Sequence, residues 1–102
     1  MLRAEDVDRL TGPLAGVRRT VADGLVQWRY HGRLVARMLD QAHLVIRADF
    51  DYRAAVVRQF PATFSVPRRF EKHMMVVADL DGDPGAIEDA LEAAWRLQRL
   101  GA

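Results

Sequence analysis

Arg29, Arg33, Arg37 and Arg47 fall in a stretch where apolar residues alternate with polar ones. Strands there would bring these guanidinium groups, with His43 beside them, onto one side of a sheet. Such a surface attracts phosphates through counterion release and needs no contact with bases to do so. A second basic cluster, Arg68-Arg69 with Lys72, stands in a loop between two apolar runs. The remaining reactive residue types offer less. Asp79-Leu80-Asp81-Gly82-Asp83 spaces carboxylates as a calcium loop does. Counting from Asp79, however, puts Pro84 and Ala90 where an EF-hand needs glycine and glutamate, and counting from Asp81 puts Ala86 at the glycine position. A strand end, a turn and a helix cap account for that segment. His31, His43 and His73 have no helical metal-ligand spacing. Ser65, the only serine, lacks a Gly-x-Ser-x-Gly setting. Gly82 and Gly85 flank a helix start without the lysine of a phosphate loop. With no cysteine, thiolate metal sites, thiol nucleophiles and disulfides are excluded. The expectation is a non-enzymatic protein with no catalytic residue, no metal and no cofactor, whose chemistry lies in binding.

The 102 residues suit a single domain over 1–102, and a 50% hydrophobic content supports an ordinary core. No charge-free run approaches the ~20 residues of a membrane span, and no basic-then-apolar leader opens the chain, so a soluble cytoplasmic protein with no membrane partner is expected. The net charge of +1 is no nucleic-acid signature in itself. Its distribution is uneven: through His73 there are 13 Lys and Arg against 8 Asp and Glu, and after it 2 against 6.

Elements that could position these residues follow from periodicity. Ala4–Leu10 forms a short helix with Val7 and Leu10 on one side, ended by Gly12-Pro13. From Val17 to Arg47 the period is two, with strands at Leu25–Tyr30, Leu34–Leu39 and Leu44–Arg47. Asp51 caps a helix in which Tyr52, Ala55, Val56 and Phe60 share a face, and Pro61 stops it. Phe64–Val66 and Met74–Leu80 are further strands, joined by the basic segment Pro67–Lys72. Asp83-Pro84 opens a final helix to about Leu100 that buries Ile87, Leu91, Ala94 and Trp95. The order is that of an α+β fold: an antiparallel sheet of about five to six strands packed on N- and C-terminal helices.

Register decides where the arginines point. A three-residue loop Tyr30-His31-Gly32, with Gly32 in a left-handed bulge position, would pair Trp28 with Leu34 and Val26 with Ala36. The next turn would pair Met38 with Leu44 and Ala36 with Ile46. One face is then Val26, Trp28, Leu34, Ala36, Met38, Leu44 and Ile46. The other carries Gln27, Arg29, Arg33, Val35, Arg37, His43, Val45 and Arg47. A slip by one residue would bury arginines at several kcal/mol each.

The run Trp28-Arg29-Tyr30-His31-Gly32-Arg33-Leu34-Val35-Ala36-Arg37 resembles the Gly-Lys/Arg hairpin of the MmcQ/YjbR family. Phe50-Asp51-Tyr52-Arg53 and Phe60-Pro61-Ala62-Thr63-Phe64-Ser65-Val66-Pro67 resemble its middle block, and Met74–Leu80 with the Ala94-Trp95 helix resembles its closing strand and helix. The resemblance implies a CyaY-like, double-wing fold and a DNA-binding role. Together, residues and resemblance point to phosphate-dominated DNA binding by Arg29, Arg33, Arg37, Arg47, Arg68, Arg69 and Lys72. The alternative is a small-molecule- or protein-partner-binding module, in which Val35, Leu39 and Val45 between the arginines suit an anionic apolar ligand.

Overall fold

The computed structural model describes residues 1–101 of the chain. Helix α1 (Ala4–Thr11) starts where Asp6 Oδ2 accepts from the Arg3 backbone N–H at 2.8 Å, satisfying one of the free donors of the first turn. Strands β1 (Val17–Ala22) and β2 (Leu25–Tyr30) form a hairpin through Asp23-Gly24, both with positive φ. That is the backbone a two-residue primed turn requires. The strands β3 (Arg33–Met38) and β4 (His43–Arg47) continue the meander. Helix α2 (Phe50–Gln59) is capped by Asp49, whose side chain accepts from the Tyr52 N–H at 2.8 Å. The cap therefore lies two residues before Asp51, which sits in the first turn, where a carboxylate suits the helix dipole. A two-residue strand β5 (Phe64–Ser65), a 3-10 turn (Arg68–Phe70), strand β6 (Met75–Asp79) and helix α3 (Pro84–Arg99) complete the chain. Asp83 caps α3 by accepting from Ala86 N at 3.1 Å, with Pro84 in its first turn.

The fold is α+β, with a six-stranded antiparallel sheet in the order β1-β2-β3-β4-β6-β5. All three helices contribute to the core on one of its faces: Val7 of α1, Val56 of α2, and Ala86, Ile87, Ala90, Leu91 and Ala94 of α3 pack with Trp28, Ala36, Met38, Leu44 and Ile46. Trp28 is fully buried, and its indole Nε1 donates to Asp8 Oδ1 at 2.8 Å, so the largest core side chain has its one polar atom satisfied. Arg19, directly opposite Trp28, closes on the same carboxylate at 2.7 Å. Trp95, in contrast with the sequence expectation, is only half-buried. Its Nε1 donates to Ala15 O at 2.8 Å and the Arg99 guanidinium lies 4.4 Å over its ring, while Ala94 occupies the core position. No helix among the described residues is long and apolar enough to cross a membrane.

Met38 pairs with Leu44 and Ala36 with Ile46, as alternation predicts. The β2–β3 hairpin differs. Its turn is two residues, His31 (φ 48°) and Gly32 (φ 83°), so Tyr30 faces Arg33 and Arg29 faces Leu34. The register then shifts, and Trp28 faces Ala36. The extra residue is Val35, inside the strand and not in the turn. Val35 is fully buried in the main core, a place the sequence assigned to Leu34.

Candidate basic surface

The face away from the helices is defined by one row of directly paired residues that crosses every strand: Thr20, Gln27, Arg37, Val45, Val77 and Ser65. Two residues along each strand, and so on the same face, stand Arg18 opposite Arg29, and Arg47 opposite Met75. Three of the four sheet arginines expected here are present: Arg29, Arg37 and Arg47. Arg33 is not. It lies opposite Tyr30, which packs against the main core, and its Nη1 donates to Gln98 O at 2.9 Å in the last turn of α3. A cation suits that end of a helix, where carbonyls lack partners. The two-residue turn places Arg33 on the helical side, and the bulge at Val35 restores Arg37 to the other. Arg18 takes the vacated role. The signal for it was the Asp23-Gly24 pair, which marks a hairpin that the alternation of Val17–Ala22 alone did not.

This face is only partly open. The segment after β5 folds across it, and Phe70 packs on Val45 and Val77 in a small second core with Leu39, Val66 and Met75 at its margin. Phe70 is 8% exposed. The Arg69 guanidinium lies 4.8 Å from its ring centroid and that of Arg37 5.9 Å, so a loop arginine and a sheet arginine meet at one aromatic ring. Arg68, Arg69 and Lys72 are exposed. The Arg47 Nε is buried with no hydrogen-bond partner among the described residues.

What holds the loop is Arg53 of α2. Its Nη1 donates to His73 O at 2.8 Å, Phe70 O at 3.2 Å and Met75 O at 3.4 Å, and its Nη2 to Glu71 O at 3.0 Å. Its guanidinium also lies 4.8 Å over the Phe50 ring. Arg53 therefore sets the position of Arg68, Arg69 and Lys72 without joining them.

The charge on the face changes sign toward one end. His43, opposite Asp79, shares a proton-mediated contact with Asp40 through Nδ1 at 2.9 Å. The Asp40 carboxyl is held below its usual range, first by the Ala42 N–H that it accepts at 2.8 Å and then by His43. In the segment Asp79 to Asp83 the carboxylates serve the backbone: Asp79 Oδ1 accepts from Asp81 N at 2.9 Å, and Asp83 caps α3.

One recess opens on this face, ≈ 330 Å³, between the start of β1 and the His31-Gly32 turn, lined by Gly16, Arg18, Thr20, Arg29, His31 and Gly32. Comparisons with protein-family models, with curated proteins and with solved structures find no match.

Proposed function

We propose that this chain binds DNA without catalysing a reaction, as a member of the MmcQ/YjbR family that its hairpin and middle block resemble. Contacts to phosphates dominate, made by Arg18, Arg29, Arg37 and Arg47 on the sheet and Arg68, Arg69 and Lys72 on the loop above it.

One observation carries this reading. Ion pairs among the described residues use Asp6, Asp8, Asp40, Asp81 and Glu92, and none of them reaches any of those seven cations. No carboxylate among the described residues pairs with any of these cations, and what sets them apart from other unpaired arginines such as Arg3, Arg58 and Arg99 is that they stand together, on one sheet face and the loop above it. A polyanion laid across such a cluster meets several cations at once, with counterion release added.

Binding dominated by phosphates has a Kd of roughly 10⁻⁴–10⁻⁶ M at physiological salt. About four neutralised phosphates give a slope of log K against log salt near −3.6. Titration of duplex DNA at 50 and 200 mM salt tests both values. The double substitution Arg37→Gln/Arg69→Gln should weaken binding and make the slope shallower by about 1.8, with little change in melting temperature. Absence of binding at 50 mM salt would sink the proposal.

A further inference from the structure

We infer that the recess between β1 and the β2–β3 turn is a discrete site for a single phosphate monoester group. The inference goes beyond duplex binding and stands whether or not duplex is bound.

Its walls come from two places brought together by the hairpin register. Arg18 and Arg29 are directly opposite one another on β1 and β2. Two like charges at such a position repel, and no carboxylate among the described residues pairs with either. A dianion between them removes that repulsion and matches their combined charge. Arg29 is already oriented: its Nε donates to Gln27 Oε1 at 2.9 Å and its Nη1 to Gly32 O at 2.8 Å, leaving Nη2 for a ligand. Arg18, exposed, makes no side-chain hydrogen bond among the described residues and can close from the other side. Thr20 adds a hydroxyl to the lining.

The backbone beside the recess is that of a two-residue primed turn with a histidine at its first position. His31 takes a positive φ of 48°, at a turn position where asparagine, aspartate or glycine is the common choice. It is held there by stacking on Tyr30, with ring centroids 4.1 Å apart and planes at 14°. Gly16, at φ +83°, lies under this stack: a Cβ on it would stand 2.8 Å from Tyr30 Cε1 and 2.9 Å from His31 Nε2. Glycine at 16 and the folded-back imidazole together shape one wall. At ≈ 330 Å³ the recess sits at the small end of the ligand-pocket range of about 300–1,000 Å³, enough for a phosphate and an attached sugar. A free nucleotide and the 5′ end of a strand share that chemistry.

The test is an amide-resolved NMR titration at constant ionic strength with inorganic phosphate, 5′-AMP, adenosine and a 5′-phosphorylated tetranucleotide. Saturable shifts at Gly16, Thr20 and Gly32 with phosphate and AMP, and none with adenosine, are the expected result. Arg18→Gln, at an exposed strand position, should weaken binding by about tenfold or more, because a charge-assisted hydrogen bond is lost. Arg37→Gln, which lowers duplex affinity, should leave it unchanged. Tighter binding of the tetranucleotide than of AMP, lost when its 5′ phosphate is removed, assigns a strand end, and equal binding assigns the free nucleotide; either supports the site. Linear shifts spread over all the arginines, or an Arg18→Gln protein that binds as the parent does, would overturn it.

Discussion

Replacing Arg53 by methionine keeps the apolar stem of the side chain and removes its planar head. The head makes four contacts to carbonyls with distances of 2.8, 3.0, 3.2 and 3.4 Å. Nη1 has two hydrogens for three acceptors, so the two longer contacts share one of them. The net count is about three charge-assisted bonds, each worth roughly 1.5–3 kcal/mol when buried. The His73 and Glu71 contacts are exposed, and water can replace the arginine there. The loss should therefore be about 2–3 kcal/mol, out of a total of about 5–15 kcal/mol for a domain of this size. The melting temperature should fall by about 10–15 °C. Urea unfolding gives the magnitude, and amide exchange gives the location. The Glu71 and His73 amides, bonded to Arg68 O and Phe70 O, should lose protection before the strands do. Arg53→Lys should recover less than half of the loss, since one ammonium cannot serve carbonyls spread over the loop. An unfolding free energy within about 0.5 kcal/mol of the parent's, with Glu71 and His73 still protected, would refute the idea that Arg53 clamps the loop.

Asp8→Ala should cost about 2–3 kcal/mol by leaving the buried Trp28 Nε1 unpaired, whereas Asp8→Asn, which keeps an acceptor, should cost about 1 kcal/mol or less; urea midpoints separate the two. Trp28→Ala should cost about 3–5 kcal/mol and Trp95→Ala only about 1–2 kcal/mol, measured the same way, because the second ring is already partly in water. The Asp6 carboxyl is held below 3.8 by the Arg3 N–H and then by Arg9, and Asp40 by the Ala42 N–H and then by His43. For a lowered carboxyl the stabilisation is present above the unfolded value of 3.8 and is lost as pH falls through the folded one. An acid titration of the melting temperature should therefore show a decline below pH 3.8 that is smaller in Asp6→Asn and Asp40→Asn.

The pairing of β3 with β4 was legible in the sequence because both strands carry apolar residues at every second position, and only one register buries them all. The β2–β3 turn was not. Its length depends on His31 accepting a left-handed backbone, where asparagine, aspartate or glycine would be a stronger signal, and on an extra residue at Val35 that no local pattern announces. One such shift was enough to move Arg33 from the basic surface to the end of α3. Strand β1 was obscured because its four middle residues, Arg18 to Val21, are all exposed, leaving little hydrophobic alternation to detect. The role of Arg53 was hidden for another reason. An arginine on a helix looks the same in sequence whether it faces water or binds carbonyls 17 to 22 residues away. Caps depend on nearer neighbours, and Asp83-Pro84 was legible on that ground.

The two ends of the sheet are unequal. At one, β5 is two residues long, too short to template another strand, with Pro61 and Pro67 close on either side. At the other, β1 offers six residues of backbone with no strand beyond it among the described residues, and Val21 is 65% exposed near the tip. Arg18 and Arg19 set like charges along that edge, which would oppose a second copy added in parallel register. Asp8 already offsets part of the charge on Arg19, so Arg18 carries most of this repulsion. Uncharged β-formers at both positions would remove the barrier and make the edge a nucleus for polymerisation. The colloidal stability of the protein is thereby tied to the same guanidinium that borders the recess.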